Sequence, residues 1–116
     1  MSRKRSKQLE KALRQFAGIA YERELATATH ALQSEFVRWE RKEIDVFELN
    51  DKIHEFHHGI SRTLYGRYVG MDAAFGVASA LHLGILNREE VGEAVFLSVE
   101  GMVLSLASMA KNDGEA

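Results

Sequence analysis

The chain of 116 residues has the length of one domain. With 46% hydrophobic and 28% charged residues, its composition is globular and excludes an intrinsically disordered protein. The absence of cysteine excludes disulfides, thiolate metal sites and cysteine nucleophiles, so we expect a cytoplasmic protein. The formal net charge of −2 gives no overall attraction to nucleic acid. We expect one helical domain over 1–116, with a basic flexible tail at 1–6 and a frayed tail at 112–116.

The first predicted helix spans residues 7–42. Apolar residues from Leu9 to Trp39 recur there at steps of three and four, which is helical periodicity. Only Gly18 weakens this pattern. An unbroken helix of this length is roughly 50 Å long, whereas a compact domain of this size has a radius of gyration of about 13 Å. Either the helix bends near Gly18 or a second chain covers the overhang, and we favour the second chain.

A capping box predicts where the second helix begins. Asp45 provides the cap and Glu48 the carboxylate three residues later, which predicts a helix over 46–69. Gly70 is expected to be the left-handed residue after its end.

Two further helices follow in the same way. Asp72 as a cap and Gly84 as a stop predict a short helix over 73–83. A second capping box, Asn87 with Glu90, predicts a fourth helix over 88–111.

The fourth predicted helix is apolar on more than one face, so it needs neighbours all round. Its apolar stretch, 94–110, is shorter than the roughly 20 residues of a bilayer span, so we expect a core helix and no membrane. The predicted fold is all-α: a four-helix bundle-like protomer that forms a dimer or part of a larger helical assembly. The expected interface residues are Leu25, Leu32, Phe36, Trp39, Phe96, Met102 and Leu106.

The second helix carries a histidine-rich turn, 54–58. His54 and His58 share one helical face with Asp51, and Glu55 with His58 has the Glu-x-x-His spacing of carboxylate di-iron bundles. Further ligands for zinc or iron would have to come from facing helices, where the candidates are His30, His82, Glu24, Glu35 and Glu93. The di-iron pattern needs Glu-x-x-His on two helices and it occurs once here, so we expect no cofactor and keep zinc or iron as the alternative.

The same turn begins a polar stripe that continues to Arg62 and Tyr65. Histidine, arginine and tyrosine can perform acid–base chemistry on a phosphodiester. Arginine and tyrosine are also frequent anchors in protein interfaces, and we favour an interface over catalysis.

Arg23 and His30 form another candidate pair. Their spacing resembles the Arg-x4–6-His motif of the helical HEPN ribonuclease family. That family builds its active site at a dimer interface of four-helix protomers. The resemblance implies that Arg23 and His30 would be catalytic residues of a ribonuclease.

We therefore expect a non-enzymatic protein–protein interaction, regulatory or accessory subunit that acts through a helical oligomer interface. Its partner would be a second copy or another helical protein, and binding of nucleic acid is not expected. One alternative is a metal-binding bundle centred on His54 and His58, which could act as an enzyme. The other is a HEPN-like ribonuclease.

Overall fold

The computed structural model describes residues 5–114, and this part of the chain is entirely helical. The all-α prediction is confirmed. The elements in chain order are α1 (Lys7–Glu40), α2 (Val46–Phe56), a π-helical turn (His57–Ser61), α3 (Arg62–Tyr68), α4 (Ala73–Leu83), α5 (Arg88–Val91) and α6 (Glu93–Gly114).

Helix α1 is continuous through Gly18 and has 34 residues, or about 51 Å at 1.5 Å per residue. Ser6 caps it by accepting a hydrogen bond from the Leu9 amide. The predicted end at residue 42 is wrong by two residues, because Lys42 has a φ of 63° and leaves the helical conformation. Of the predicted basic tail, residues 1–4 lie outside the described residues, and Arg5 approaches Asp72 at 3.8 Å.

The second predicted helix begins at the expected capping box, in which Asp45 and Glu48 each bind the other's backbone amide. It is not one regular α-helix, however, because the π-helical turn separates α2 from α3. The expectation of a left-handed Gly70 is wrong. The amides of Val69 and Gly70 both donate to the carbonyl of Tyr65 and end the helix without a left-handed residue.

Helix α4 confirms the predicted bounds 73–83. Asp72 caps it by accepting from the Ala74 amide, and Gly84 ends it with a φ of 77°. Its small residues are buried almost without interruption from Ala74 to Ala80. At Gly76 an added Cβ would lie 3.0 Å from the ring of Tyr68, so the missing side chain permits the close contact with α3.

The fourth predicted helix begins at Arg88 behind the expected Asn87 capping box, but it is not continuous. Gly92 has a φ of 86° and a ψ of 163°, which interrupts the helix after one turn. Helix α6 then starts at Glu93 and continues to Gly114, beyond the predicted end at 111. Part of the predicted frayed tail is therefore helical, and residues 115–116 lie outside the described residues.

Helix α4 packs between α1 and α6, and α3 joins this core. Beyond that core, the C-terminal part of α1 (28–40) packs against α2, and we call this pair the distal hairpin. The molecule measures 60 × 36 × 24 Å, and its radius of gyration is 17.6 Å. This value exceeds the approximately 13 Å of a compact domain of similar length, so the distal hairpin makes the fold elongated.

Helix α6 is only partly covered. Val95 and Val99 are buried in the core, while Leu97, Leu104 and Met109 are exposed. By length and composition alone, the segment Glu93–Asn112 could cross a membrane, a test that a core helix of a soluble protein also passes.

Candidate functional site

The histidine-rich turn lies on the surface. The imidazole rings of His54 and His58 are parallel with centroids 6.0 Å apart, and His57 meets His58 edge-on at 5.0 Å. Glu55 forms an ion pair with Lys52 at 3.7 Å. Within residues 5–114 no three histidine or carboxylate side chains are grouped as metal ligands. The predicted ligands Asp51, His54, Glu55 and His58 are thus close in sequence without further ligands from a facing helix.

The other candidate ligands have separate surroundings. Glu35 binds Arg38 at 3.1 Å and Glu93 binds Arg88 at 2.8 Å, each within or next to its own helix. His82 is half-buried on α4.

Arg62 and Tyr65 line a shallow cleft of about 210 Å³ together with His57 and Ser61. His57, rather than His54 or His58, therefore lies beside Arg62 in this cleft. Among the described residues, Arg62 has no carboxylate within ion-pair distance. The cleft is open to solvent. Its side chains can form hydrogen bonds, but their arrangement does not mark any of them as a catalytic acid, base or nucleophile.

Arg23 connects α1 to the segment that precedes α6. Its guanidinium donates to both carboxylate oxygens of Glu90, at 2.8 and 3.0 Å, and to the Ile85 carbonyl at 2.9 Å. The hydrogen bonds from Arg23 and then from the Asn87 amide lower the pKa of Glu90. His30 has its Nδ1 3.5 Å from Gln33 Oε1, and the hydrogen bonds of the Arg23 side chain go to Ile85 and Glu90 instead. The structure thus gives Arg23 a structural partner and does not join it to His30.

The predicted interface residues fall into two groups. Four of them, Leu25, Phe96, Met102 and Leu106, pack against the chain's own core. The other three, Leu32, Phe36 and Trp39, lie on the distal hairpin, and Phe36 and Trp39 are 37% and 41% exposed.

The distal hairpin holds an open groove of about 430 Å³ between its two helices. Leu32, Phe56 and Ile60 give it apolar walls, and Glu35, Lys52 and Glu55 give it charged edges. A second depression of about 510 Å³ lies at the tip, where Trp39, Ile44 and Val46 contribute apolar surface. The hairpin therefore carries two open depressions with apolar walls.

A partly buried polar network on α1 and α3 was not predicted from the sequence. Arg67 donates to Glu24 at 2.7 Å, and the Tyr68 hydroxyl donates to the same carboxylate oxygen at 2.5 Å. Burial and then the hydrogen bond to Glu24 raise the pKa of Tyr68. Tyr21 stacks on Tyr68 with ring centroids 5.6 Å apart. The sequence suggested Glu24 only as a possible metal ligand, and no local signal links it to residues more than 40 positions away.

Comparison with protein families, curated proteins and solved structures finds no match to this chain. The candidate function therefore depends on the geometry of the chain itself.

Proposed function

We propose that this chain is a small, non-enzymatic interaction protein of the cytoplasm, an accessory or regulatory subunit, that pairs with a second copy of itself through the distal hairpin. The observation that supports this proposal most strongly is the amount of surface that the elongated fold leaves uncovered.

The accessible surface of the chain is 8261 Å² for a mass of 13.1 kDa. A compact monomer of that mass exposes roughly 6400 Å². The excess is about 1900 Å², which is more than twice the approximately 800 Å² that each partner buries in a standard interface. Exposed residues of both the hairpin and α6 contribute to this excess, so a dimer joined along the hairpins can bury part of it without unfolding either copy.

The groove suits a two-fold arrangement, in which the same patch faces itself and must be self-complementary. Its edges carry both signs of charge, with Glu35 on α1 and with Lys52 and Glu55 on α2. An antiparallel approach of two hairpins brings Lys52 of one copy towards Glu35 of the other. The apolar residues between them would then form the interior of a four-helix arrangement at the centre of the dimer.

Light scattering coupled to size-exclusion chromatography tests the proposal. We expect a mass near twice 13.1 kDa for the wild type. Trp39→Glu and Phe36→Glu place a charge in the interface, where aromatic anchors typically contribute 2 kcal/mol or more, so the dimer dissociation constant should rise at least about 30-fold. Leu104→Glu is the matched control, because Leu104 is 65% exposed on α6, away from the hairpin.

A wild-type protein that stays at 13.1 kDa at all concentrations would refute the proposal. So would a dimer that Leu104→Glu disrupts and Trp39→Glu leaves intact, because the interface would then lie on α6.

A further inference from the structure

A second cavity lies in the core end of the molecule, between α3, α4 and α6. Its volume is about 240 Å³, and no part of it is formed by the distal hairpin. Helix α4 provides one wall through residues spaced along a single face, and α3 and α6 close the sides. The lining residues are Arg67, Phe75, Ser79, His82, Leu83 and Leu106.

Ser79 contributes a hydroxyl group to the lining of this cavity. Ser79 is 6% exposed, and no side-chain polar atom of residues 5–114 is both fully buried and without a hydrogen-bond partner. Buried hydroxyls normally have a hydrogen-bond partner, because leaving one unmade has a free-energy cost. The Ser79 hydroxyl can therefore donate to an acceptor that enters the cavity in place of solvent.

Arg67 adds a cation that is already held in place. One of its terminal nitrogens donates to Glu24 at 2.7 Å, and its side chain is 23% exposed. A guanidinium has five N–H groups, so donors remain after the contact with Glu24. Glu24 itself does not line the cavity, and neither does any other carboxylate. With the imidazole of His82, the cavity presents hydrogen-bond donors and no anionic group.

The remaining walls are apolar, so they favour a ligand whose other half is apolar. Phe75 and Leu83 on α4 and Leu106 on α6 face the same space as the polar groups. Small-molecule sites combine this kind of apolar lining with a few polar groups that fix orientation. The volume equals that of about eight water molecules in the liquid, which is room for a molecule of roughly eight to ten non-hydrogen atoms with one side open to solvent.

We propose that this cavity binds a small monocarboxylate with an apolar body, such as a short-chain or aromatic acid. The carboxylate accepts hydrogen bonds from Arg67 and Ser79, and the hydrocarbon part lies against Phe75 and Leu106. The site is independent of the proposed dimer, because the two surfaces share no lining residue.

Hexanoate is the probe that tests this proposal. It is titrated into ¹⁵N-labelled protein, and binding is followed in two-dimensional NMR spectra. We expect saturable shifts of the amide signals of Ser79, His82 and Leu106. Hexanamide has the same shape without the charge, and at constant ionic strength it should bind at least about fivefold more weakly, since hydrogen bonds to charged groups are roughly twice as strong.

Two serine variants make the test specific. Ser79→Ala removes one donor and should weaken hexanoate binding at least about threefold. Ser105→Ala on the exposed side of α6 should bind as the wild type does. Leu106→Trp should fill the cavity and abolish binding. A well-dispersed NMR spectrum of this variant verifies that it is folded.

The proposal is overturned if hexanoate produces no saturable shift, if hexanamide binds equally well, or if Ser79→Ala and Ser105→Ala behave alike. Saturable binding that persists in the Trp39→Glu monomer supports it, and loss of binding in that monomer refutes the independence of the two sites.

Discussion

Replacing Glu24 by alanine should lower the free energy of unfolding by about 3 kcal/mol. The carboxylate accepts one hydrogen bond from Arg67 at 2.7 Å and one from the Tyr68 hydroxyl at 2.5 Å. Hydrogen bonds to charged groups contribute about 1.5–3 kcal/mol each. We use the lower value for both, because the side chains of Glu24 and Arg67 remain 15% and 23% exposed and water replaces part of what is lost.

Urea-induced unfolding followed by circular dichroism measures this difference. Assembly would couple unfolding to protein concentration, so the comparison is made in the Trp39→Glu background. Glu22→Ala is the matched control on the same helix. Glu22 is exposed and has no ion-pair partner among residues 5–114, so its replacement should change stability by less than about 0.5 kcal/mol.

A graded variant separates charge from hydrogen bonding. Glu24→Gln keeps an oxygen that accepts from Tyr68 but loses the attraction to Arg67, so about half of the loss is expected. A loss below about 1 kcal/mol for Glu24→Ala, similar to the control, would refute the reasoning. The network would then contribute no more than an exposed ion pair.

Three further predictions concern stability. Gly76→Ala should cost about 1–3 kcal/mol in thermal unfolding, because its Cβ would lie 3.0 Å from the tyrosine ring that ends α3. Gly101→Ala, where no atom lies within 4 Å, should instead stabilise α6 by about 0.5–1 kcal/mol. The hydrogen bond from Arg23 lowers the pKa of Glu90 in the folded protein. This contact therefore stabilises the fold at a pH above the ordinary glutamate pKa, and the stabilisation is lost as the pH falls and Glu90 becomes protonated. The difference in melting temperature between wild type and Glu90→Gln should therefore narrow in acid, and a difference independent of pH would contradict this.

The sequence predicted helix starts better than helix interiors. Both capping boxes, at Asp45 and Asn87, are present in the structure, because a cap depends on residues only three positions apart. The π-helical turn after Phe56 and the break at Gly92 were missed. A single glycine is compatible with a continuous helix, and a π turn has no sequence signature of its own, so both depend on how the chain packs in three dimensions.

The candidate sites were harder to predict than the fold. Sequence spacing correctly places His54 near His58, since both are on one helix. It could not show that Arg23 is bound to Glu90, or that Arg67 lies beside Glu24 and next to the cavity. These contacts join residues 43 to 67 positions apart, and only the packing of the helices brings them together.

The polar network also explains how one chain can have two separate surfaces. Glu24 lies on α1 between the core residue Ala20 and the start of the distal hairpin at residue 28. The core contacts of α1 and α4 involve small apolar side chains, which permit more than one register of neighbouring helices. The Glu24 carboxylate favours the one register in which both of its donors on α3 reach it. The Glu24 contact joins α1 to α3, the helix that follows the π-helical turn, and Arg67 also lines the cavity. The same three side chains therefore position both the surface proposed for the second copy and the site proposed for a carboxylate.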